Sequence, residues 1–287
     1  APVYAGATGL GAKRTLSLNA LALSILFSSI AGPAFSAEPN QEKEDIQNTI
    51  IRYQAAIGIN PKNPDTHLKL GDAYTMSGNM TGAVKEYKTV MELAPGEGQA
   101  AFSLGRAYMR LKDTDNAIIA FREATKRDPN KADYHVRLGQ LLCRKQLDDE
   151  AIVHFRQAVK LEPNNAIAHR ELGAALGLKG DTQAQIQEEL KAIELSPKDA
   201  DSHYYLGHAY LTHEKLVEAQ KEFETAVDLD PRYAMAYHML AIVKAAQNNL
   251  ESAIKSEEQA IALEPSNVGF KNSLKKLQSN HSGKSGK

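Results

Sequence analysis

The feature that most constrains this chain is a sequence pattern that returns every 34 residues. A leucine followed by a small residue recurs in one register, at Leu70-Gly71, Leu104-Gly105, Leu138-Gly139, Leu172-Gly173, Leu206-Gly207 and Leu240-Ala241. Prolines recur in another, at Pro61, Pro95, Pro129, Pro163, Pro197, Pro231 and Pro265. A period of this length is typical of a repeat array, in which each unit buries its apolar face against its neighbours.

Each repeat is predicted to contain two helices. In the repeat 132–165, apolar residues follow one another at spacings of three and four, first at Tyr134, Leu138, Leu141 and Leu142, then at Ala151, Phe155, Ala158 and Val159. These spacings indicate amphipathic helices and exclude the alternation of strands. We expect Asp148 or Asp149 to cap the second helix, and Pro163 to end it. The fold class predicted for the chain is all-α.

Small residues recur inside these helices. Glycine at the Gly139 position costs roughly 1 kcal/mol relative to alanine within a helix, so its fivefold recurrence indicates that two helices cross closely there. Alanines recur in the second helices at Ala83, Ala117, Ala151, Ala219 and Ala253, and again at Ala124, Ala158, Ala192, Ala226 and Ala260.

With these residues the chain resembles the tetratricopeptide repeat (TPR) family. Aromatic residues at matching places extend the resemblance, at Tyr74, Tyr108 and Tyr210 in first helices and Tyr87, Phe121, Phe155 and Phe223 in second helices. The resemblance implies a TPR α-solenoid, a right-handed superhelix of antiparallel helix pairs. The fourth repeat departs from the pattern, because Gln185 replaces the small alanine and Glu189 the aromatic residue; we expect looser packing or a kink there.

The repeat register predicts the organisation of the whole chain. We expect a leader over 1–37, an N-terminal half-repeat over 41–63, six full units over 64–267, a capping helix over 268–279 and a disordered tail over 280–287. Because the first methionine is Met76, we expect the start of the chain to be that of a fragment or an artefact.

The leader has the order of a secretory signal peptide. Lys13-Arg14 precede an apolar run from Leu16 to Ile30, and small residues follow at 34–37. The run is short for a membrane-spanning helix, which needs about 20 residues. We expect a periplasmic or secreted protein; the alternative is a protein that this segment anchors in the membrane.

The charge and composition of the chain limit the classes of partner that we expect. The chain has 34 basic and 35 acidic residues, a net charge of −1, and no tryptophan. Without a basic excess we expect no nucleic acid partner. Peripheral membrane association and the oligomeric state stay open.

We predict no catalytic, cofactor or metal site. Cys143, the single cysteine, is interpreted as small apolar filler. Four histidines share one repeat position, at His67, His135, His169 and His203. They are interpreted as packed or interfacial imidazoles, because residues one repeat apart are too far apart to share a zinc ion bound at about 2.1 Å. His208 and His238 lie on adjacent first helices, but two ligands alone make no structural zinc site.

The function predicted is that of a non-catalytic protein-interaction scaffold of the cell envelope, which binds a peptide or partner protein in a concave groove lined by first helices. The alternative is a regulatory or substrate-recruiting TPR part of an enzyme, such as an O-GlcNAc-transferase-like glycosyltransferase. Additional non-repeat sequence upstream would favour that alternative.

The resemblance implies which side chains face the groove, because the family presents the second, fifth, ninth, twelfth and thirteenth residues of each first helix there. The expected groove residues are Arg106, Met109, Arg110, Gln140, Cys143, Arg144, Arg170, Tyr204, His208, Leu211, His238 and Ile242. They form a basic centre beside an aromatic and apolar C-terminal half, so the hypothesis is a ligand with acidic residues followed by apolar ones. The alternative is that these arginines are neutralised by Asp133 or Glu171, or point to water.

Overall fold

The computed structural model describes residues 39–285, which form fourteen helices and, within that range, no strand. The helices are α1 (Pro39–Ile59), α2 (Pro64–Met76), α3 (Met80–Leu93), α4 (Gly98–Arg110), α5 (Thr114–Arg127), α6 (Ala132–Arg144), α7 (Asp148–Leu161), α8 (Ala166–Leu178), α9 (Thr182–Leu195), α10 (Ala200–Thr212), α11 (Leu216–Leu229), α12 (Ala234–Ala246), α13 (Leu250–Leu263) and α14 (Val268–Ser285). The predicted leader lies outside the described residues. None of the helices in 39–285 is both long and apolar enough to cross a bilayer.

The helices from α2 to α13 form six pairs, each packed on the next, within a compact unit that begins at Thr49. Every first helix has 13 residues and every second helix 14. The all-α, α-solenoid prediction is confirmed. The ends differ from expectation: α1 already begins at Pro39, and α14 continues through the predicted tail to Ser285.

The turn inside each pair has one backbone geometry in all six repeats. The residue after the first helix's C-cap has a positive φ at Gly78, Lys112, Gln146, Gly180, Glu214 and Asn248. The next residue then donates its N–H to a carbonyl five residues back, as in Asp113 N to Tyr108 O at 2.9 Å. This is the hydrogen bond of a Schellman motif, which satisfies a carbonyl that the helix end leaves free.

The recurrent glycine lies where the two helices of a pair cross. A β-carbon added at Gly139 would lie 2.5 Å from Phe155 Cε1, and one at Gly207 would lie 2.9 Å from Phe223 Cε1. Real β-carbons essentially never come so close, so only glycine lets these rings approach the helix backbone to this distance. The expected close crossing is therefore present.

Asparagine and aspartate cap six of the twelve helices from α2 to α13, as Asn165 does by accepting a hydrogen bond from the N–H of Ala168 at 3.1 Å. The expectation for α7 was wrong. Its N-cap is Leu147, which has no side-chain cap, and Asp148 is already the first helical residue. The acidic side chains of its first turn still face the positive end of the helix dipole.

The fourth repeat keeps the length of its neighbours, and neither α8 nor α9 is interrupted. What changes is its core. The largest apolar cluster extends from Ala101 to Leu176, and another contains Ala219 and Phe223. Between them along the chain, buried positions 185 and 189 carry glutamine and glutamate. The sequence departure thus alters the chemistry of the core rather than the helices.

Candidate binding face of the first helices

The predicted groove residues lie on α4, α6, α8, α10 and α12. We call the surface formed by these positions of the first helices the first-helix face. The exposed members are Arg106, Arg110, Arg144, His208 and Ile242, and the partly buried ones are Met109, Gln140, Cys143, Arg170, Tyr204, Leu211 and His238. Two clefts open on this face, three repeats apart.

The basic cleft lies between α2 and α4. It has a volume of about 230 Å³ and is lined by Asp72, Thr75, Met76, Tyr87, Ser103, Arg106 and Arg110. The Tyr87 hydroxyl donates to Asp72 Oδ1 at 2.7 Å, and Arg110 Nη1 donates to the Thr75 carbonyl at 3.2 Å. Burial, opposed in part by the hydrogen bond with Thr75, raises the pKa of Tyr87, so the ring is neutral. The two guanidinium groups give this cleft a positive charge that Asp72 offsets only in part.

We call the exposed arginines of this face, Arg106, Arg110 and Arg144, the basic row, and Arg170 does not belong to it. Within residues 39–285, Arg106 and Arg144 make no ion pair or hydrogen bond through their side chains. Arg170 instead lies 3.1 Å from Glu171 and 3.0 Å from Asp199. These carboxylates raise the pKa of Arg170 although burial acts the other way. The alternative of internal neutralisation therefore applies to Arg170, whereas Asp133 pairs with Arg137 at 3.4 Å.

The tyrosine cleft lies between α8 and α10. It has a volume of about 260 Å³ and is lined by Ala174, Gly177, Leu178, Gln185, Tyr204, Tyr205 and His208. Tyr204 stacks on Tyr233 with a centroid distance of 5.0 Å. Burial, reinforced by Asp201 and Glu171, raises the pKa of Tyr205 to about 12. The lining is thus aromatic and apolar, with acidic groups nearby.

The two clefts are equivalent in the repeat. Thr75 and Gly177 are the twelfth residues of their helices, and Arg106 and His208 are the ninth residues of the following first helices. The clefts therefore stand three repeats apart on one face. The clefts depend on how side chains from two repeats pack, and the sequence did not predict them.

His238 turns away from the open face. Its Nδ1 lies 2.9 Å from both carboxylate oxygens of Glu257, which is fully buried, and its ring lies 4.8 Å from that of Phe270. We therefore leave His238 out of the contact surface proposed below.

The other buried histidines join consecutive repeats. In His67, Nδ1 lies 2.6 Å from Glu86 Oε2 and Nε2 lies 3.0 Å from the Pro61 carbonyl. The same two bonds recur at His169 and His203, with Glu188 and Glu222 as partners. Both ring nitrogens face acceptors, and only a ring that carries a proton on each nitrogen can donate to both. These histidines are interfacial imidazoles, in keeping with the interpretation from the sequence.

The third repeat has a different pair. Its His135 keeps the bond to the Pro129 carbonyl at 2.9 Å, but its Nδ1 lies 3.0 Å from Nδ1 of His154. Burial and the neighbouring His135 lower the pKa of His154. The constant separation of 19 residues between partners is visible in the sequence and is the signal that could have revealed these pairs.

The cysteine carries no sign of reactivity. Burial, reinforced by Asp148 and Glu171, raises the pKa of the Cys143 thiol to about 11, which favours the unreactive protonated form. In the described part of the chain, no three histidine, cysteine or acidic residues stand close enough to hold a metal ion.

Comparison with known proteins identifies the family. Models described as TPR repeat or tetratricopeptide repeat match residues 68–132, 102–154, 142–180, 190–221 and 234–267, together more than half of the chain. The chain belongs to the tetratricopeptide repeat family. A search of curated proteins finds no match.

Solved TPR structures share the fold. YrrB, described as a TPR protein with an unusual peptide-binding site, is 22% identical, covers 65% of this chain and 96% of its own, and has a TM-score of 0.59. PilW, described as a widely conserved type IV pilus biogenesis factor, is 19% identical over 74% of this chain and 98% of its own, with a TM-score of 0.63. MamA is 26% identical over 56% of this chain and 95% of its own, with a TM-score of 0.51. The matching models describe repeats and not an enzyme family.

Proposed function

We propose that this TPR protein is a non-catalytic scaffold that binds a peptide or a segment of a partner protein along its first-helix face. The observation that carries the proposal is the pair of equivalent clefts on that face. Each holds about 230–260 Å³, less than the roughly 300–1,000 Å³ of sites that enclose a whole small molecule. Such clefts fit single side chains of a longer ligand.

The spacing of the clefts suits an extended segment. Packed helices lie about 8–10 Å apart and first helices of consecutive repeats are in contact, so three repeats span at least roughly 24–30 Å. An extended chain covers about 3.3 Å per residue, so some eight residues connect the clefts. The helices are already ordered, and binding costs little conformational entropy on the side of the scaffold.

The charge of the N-terminal part of the face selects an acidic ligand. Arg106, Arg110 and Arg144 are exposed and make no ion pair with a carboxylate within 39–285. Guanidinium groups bind carboxylates through paired, charge-assisted hydrogen bonds. We infer that acidic residues of the ligand contact this row, and that the following residues lie along the apolar side chains of the C-terminal half, at Tyr204, Leu211 and Ile242.

We further propose that the protein is exported and acts in the cell envelope. The support is the order of basic, apolar and small residues over 13–37. N-terminal sequencing of protein purified from envelope fractions tests this: a mature chain that begins near Ala37 supports export with cleavage, and a chain that retains Leu16 supports the membrane anchor.

Affinity capture tests the binding function. The mature chain is used to capture proteins from envelope extracts, and the captured partner is titrated against Arg106→Ala/Arg144→Ala. We expect binding to weaken at least tenfold while the melting temperature stays within about 1 °C, because neither side chain holds the fold together.

The matched control removes two exposed arginines outside the face, Arg156→Ala/Arg232→Ala, and should bind normally. Equal affinity of wild type and the Arg106→Ala/Arg144→Ala variant would contradict the basic contact.

A further inference from the structure

Glu189 is the least expected side chain in the core. It is fully buried, and neither carboxylate oxygen has a hydrogen-bond partner within the described chain. The second helices of repeats one, two, three and five carry an aromatic ring at this position. Glu257 occupies it in the sixth repeat, where His238 bonds to it. A buried carboxyl without such a partner is costly, so its presence demands an explanation.

Glu189 adjoins the floor of the tyrosine cleft. It lies one helical turn after Gln185, which lines the cleft, on the same face of α9. The carboxyl group of Glu189 lies against Gly173, where an added β-carbon would be 2.7 Å from Oε1. Gly173 in turn lies one helical turn before Gly177, which is part of the cleft wall. The two glycines place no side chain between the cleft and the carboxyl, and Gln185 lies beside Glu189 on the same helix.

The surroundings of the cleft are negative. Arg170 is near Glu171, Asp199 and Asp201, so three carboxylates face one guanidinium group. The tyrosine rings add aromatic faces, which attract cations. An apolar occupant would leave the buried carboxyl without a partner, whereas a cation would provide one.

We propose that the tyrosine cleft is a socket for one lysine or arginine side chain of the ligand, with Gln185 and Glu189 receiving its cationic end. This inference rests on the proposed function and names a second chemical requirement of the same ligand. The Nε2 of Gln185 already donates to the Tyr205 carbonyl at 3.1 Å, which leaves its Oε1 to accept from the cation. The aliphatic stem lies along Tyr204 and Leu178.

Binding of a cation changes the ionisation of Glu189. Burial, opposed in part by Arg170 and reinforced by Asp199 and Glu171, raises the pKa of Glu189 to about 10, which favours the neutral form at pH 7. A cation close to the carboxyl favours its charged form. The carboxyl proton therefore passes to the solvent as the ion pair forms, and a lysine-bearing ligand releases about one proton per molecule bound.

Peptide selection tests the socket. The intact protein is used to select from displayed random peptides of about 16 residues, long enough to span both clefts. We expect selected peptides to share a lysine or arginine about eight residues from an acidic residue. Selection with Glu189→Phe, which restores the residue type of repeats three and five, should lose the basic residue and keep the acidic one. Selection with Arg106→Ala/Arg144→Ala should keep the basic residue and lose the acidic one.

The outcomes separate the two proposals. Peptides that carry only apolar residues at the socket position would overturn the socket and leave the proposed function standing. A basic residue that persists with Glu189→Phe would also overturn the socket. Failure to select any peptide that binds the first-helix face would overturn both.

Proton release provides an independent readout. A selected lysine peptide is titrated calorimetrically in buffers of different ionisation enthalpy, beside the same peptide with norleucine in place of lysine. We expect release of about one proton with lysine only, and none with Glu189→Gln, together with at least tenfold weaker binding. Equal affinity and equal proton release of the two peptides would overturn the proposal.

Discussion

At the scale of single residues, one repeat position shows that the neighbouring side chains decide whether a buried carboxyl has a hydrogen-bond partner. Glu189 and Glu257 occupy the same place in their second helices and are both fully buried. Glu257 has His238 as partner, whereas Glu189 has none within the described residues. The same side chain therefore stabilises one repeat and weakens another.

This difference predicts opposite effects of one substitution. Glu189→Phe should raise stability by about 1–3 kcal/mol, because it removes an unsatisfied buried polar group and restores the aromatic packing seen at Gly139 and Gly207. Glu257→Phe should lower stability by a similar amount, because it leaves His238 without its partner. Thermal unfolding of both variants checks this, and effects of the same sign would contradict it.

The recurrent glycine gives a second residue-scale prediction. Gly139→Leu should destabilise the protein by about 3 kcal/mol, because its β-carbon alone would overlap the Phe155 ring. The control is Gly180→Leu, in a turn with φ of 81° and no neighbouring atom within 4 Å of an added β-carbon, which should cost about 1 kcal/mol of backbone strain. Equal melting temperatures of the two variants would show that the repeat register is wrong.

At the scale of helix pairs, bonds from histidines to proline carbonyls connect the first, third, fourth and fifth repeats to the segment before each of them. In the fifth repeat the hydrogen bond with Glu222 raises the pKa of His203. Its stabilising contribution is present below the pKa of the unfolded chain and is lost as pH rises through the folded pKa. The effect of His154 on stability has the opposite pH dependence. Because its pKa is lowered in the folded protein, stability is lost as pH falls.

The third and fifth repeats should therefore respond differently to acid. Between pH 7.5 and 5.5, which brackets the ordinary histidine pKa of about 6.5, protection from hydrogen exchange should fall in α6 and α7 relative to α10 and α11. His154→Glu gives the third repeat the partner type of the fifth, and should abolish this relative loss. Exchange rates corrected for intrinsic pH dependence measure it; identical behaviour of wild type and variant would argue against the pairing.

The helix pairs also show which parts of the structure can be predicted from the sequence. The prolines, the leucine–glycine pairs and the alanines fix where all twelve helices of the six repeats lie, because packing of each unit on its neighbours imposes one register. The orientation of Arg170 could not be predicted, since its partner Asp199 lies in the turn before α10. The sequence marked Glu189 as a departure, but only the surrounding side chains reveal that it has no partner.

At the scale of the whole molecule, the repeats use nearly all of the described chain to present one continuous face. Basic groups dominate its N-terminal part, and aromatic rings with nearby carboxylates dominate the tyrosine cleft. A charge pattern of this kind gives specificity to an interaction and sets the orientation of an extended ligand. The central claim is that partners bind this face and not the outer surface of the second helices.

Site-specific photo-crosslinking tests that claim most directly. A benzophenone amino acid is placed at Met109 or His208 on the first-helix face, and at the exposed Val153 or Val217 on second helices as matched controls. Illumination in envelope extracts should yield the same crosslinked partner from both first-helix positions and from neither control. Crosslinks that form only from Val153 or Val217 would contradict the account.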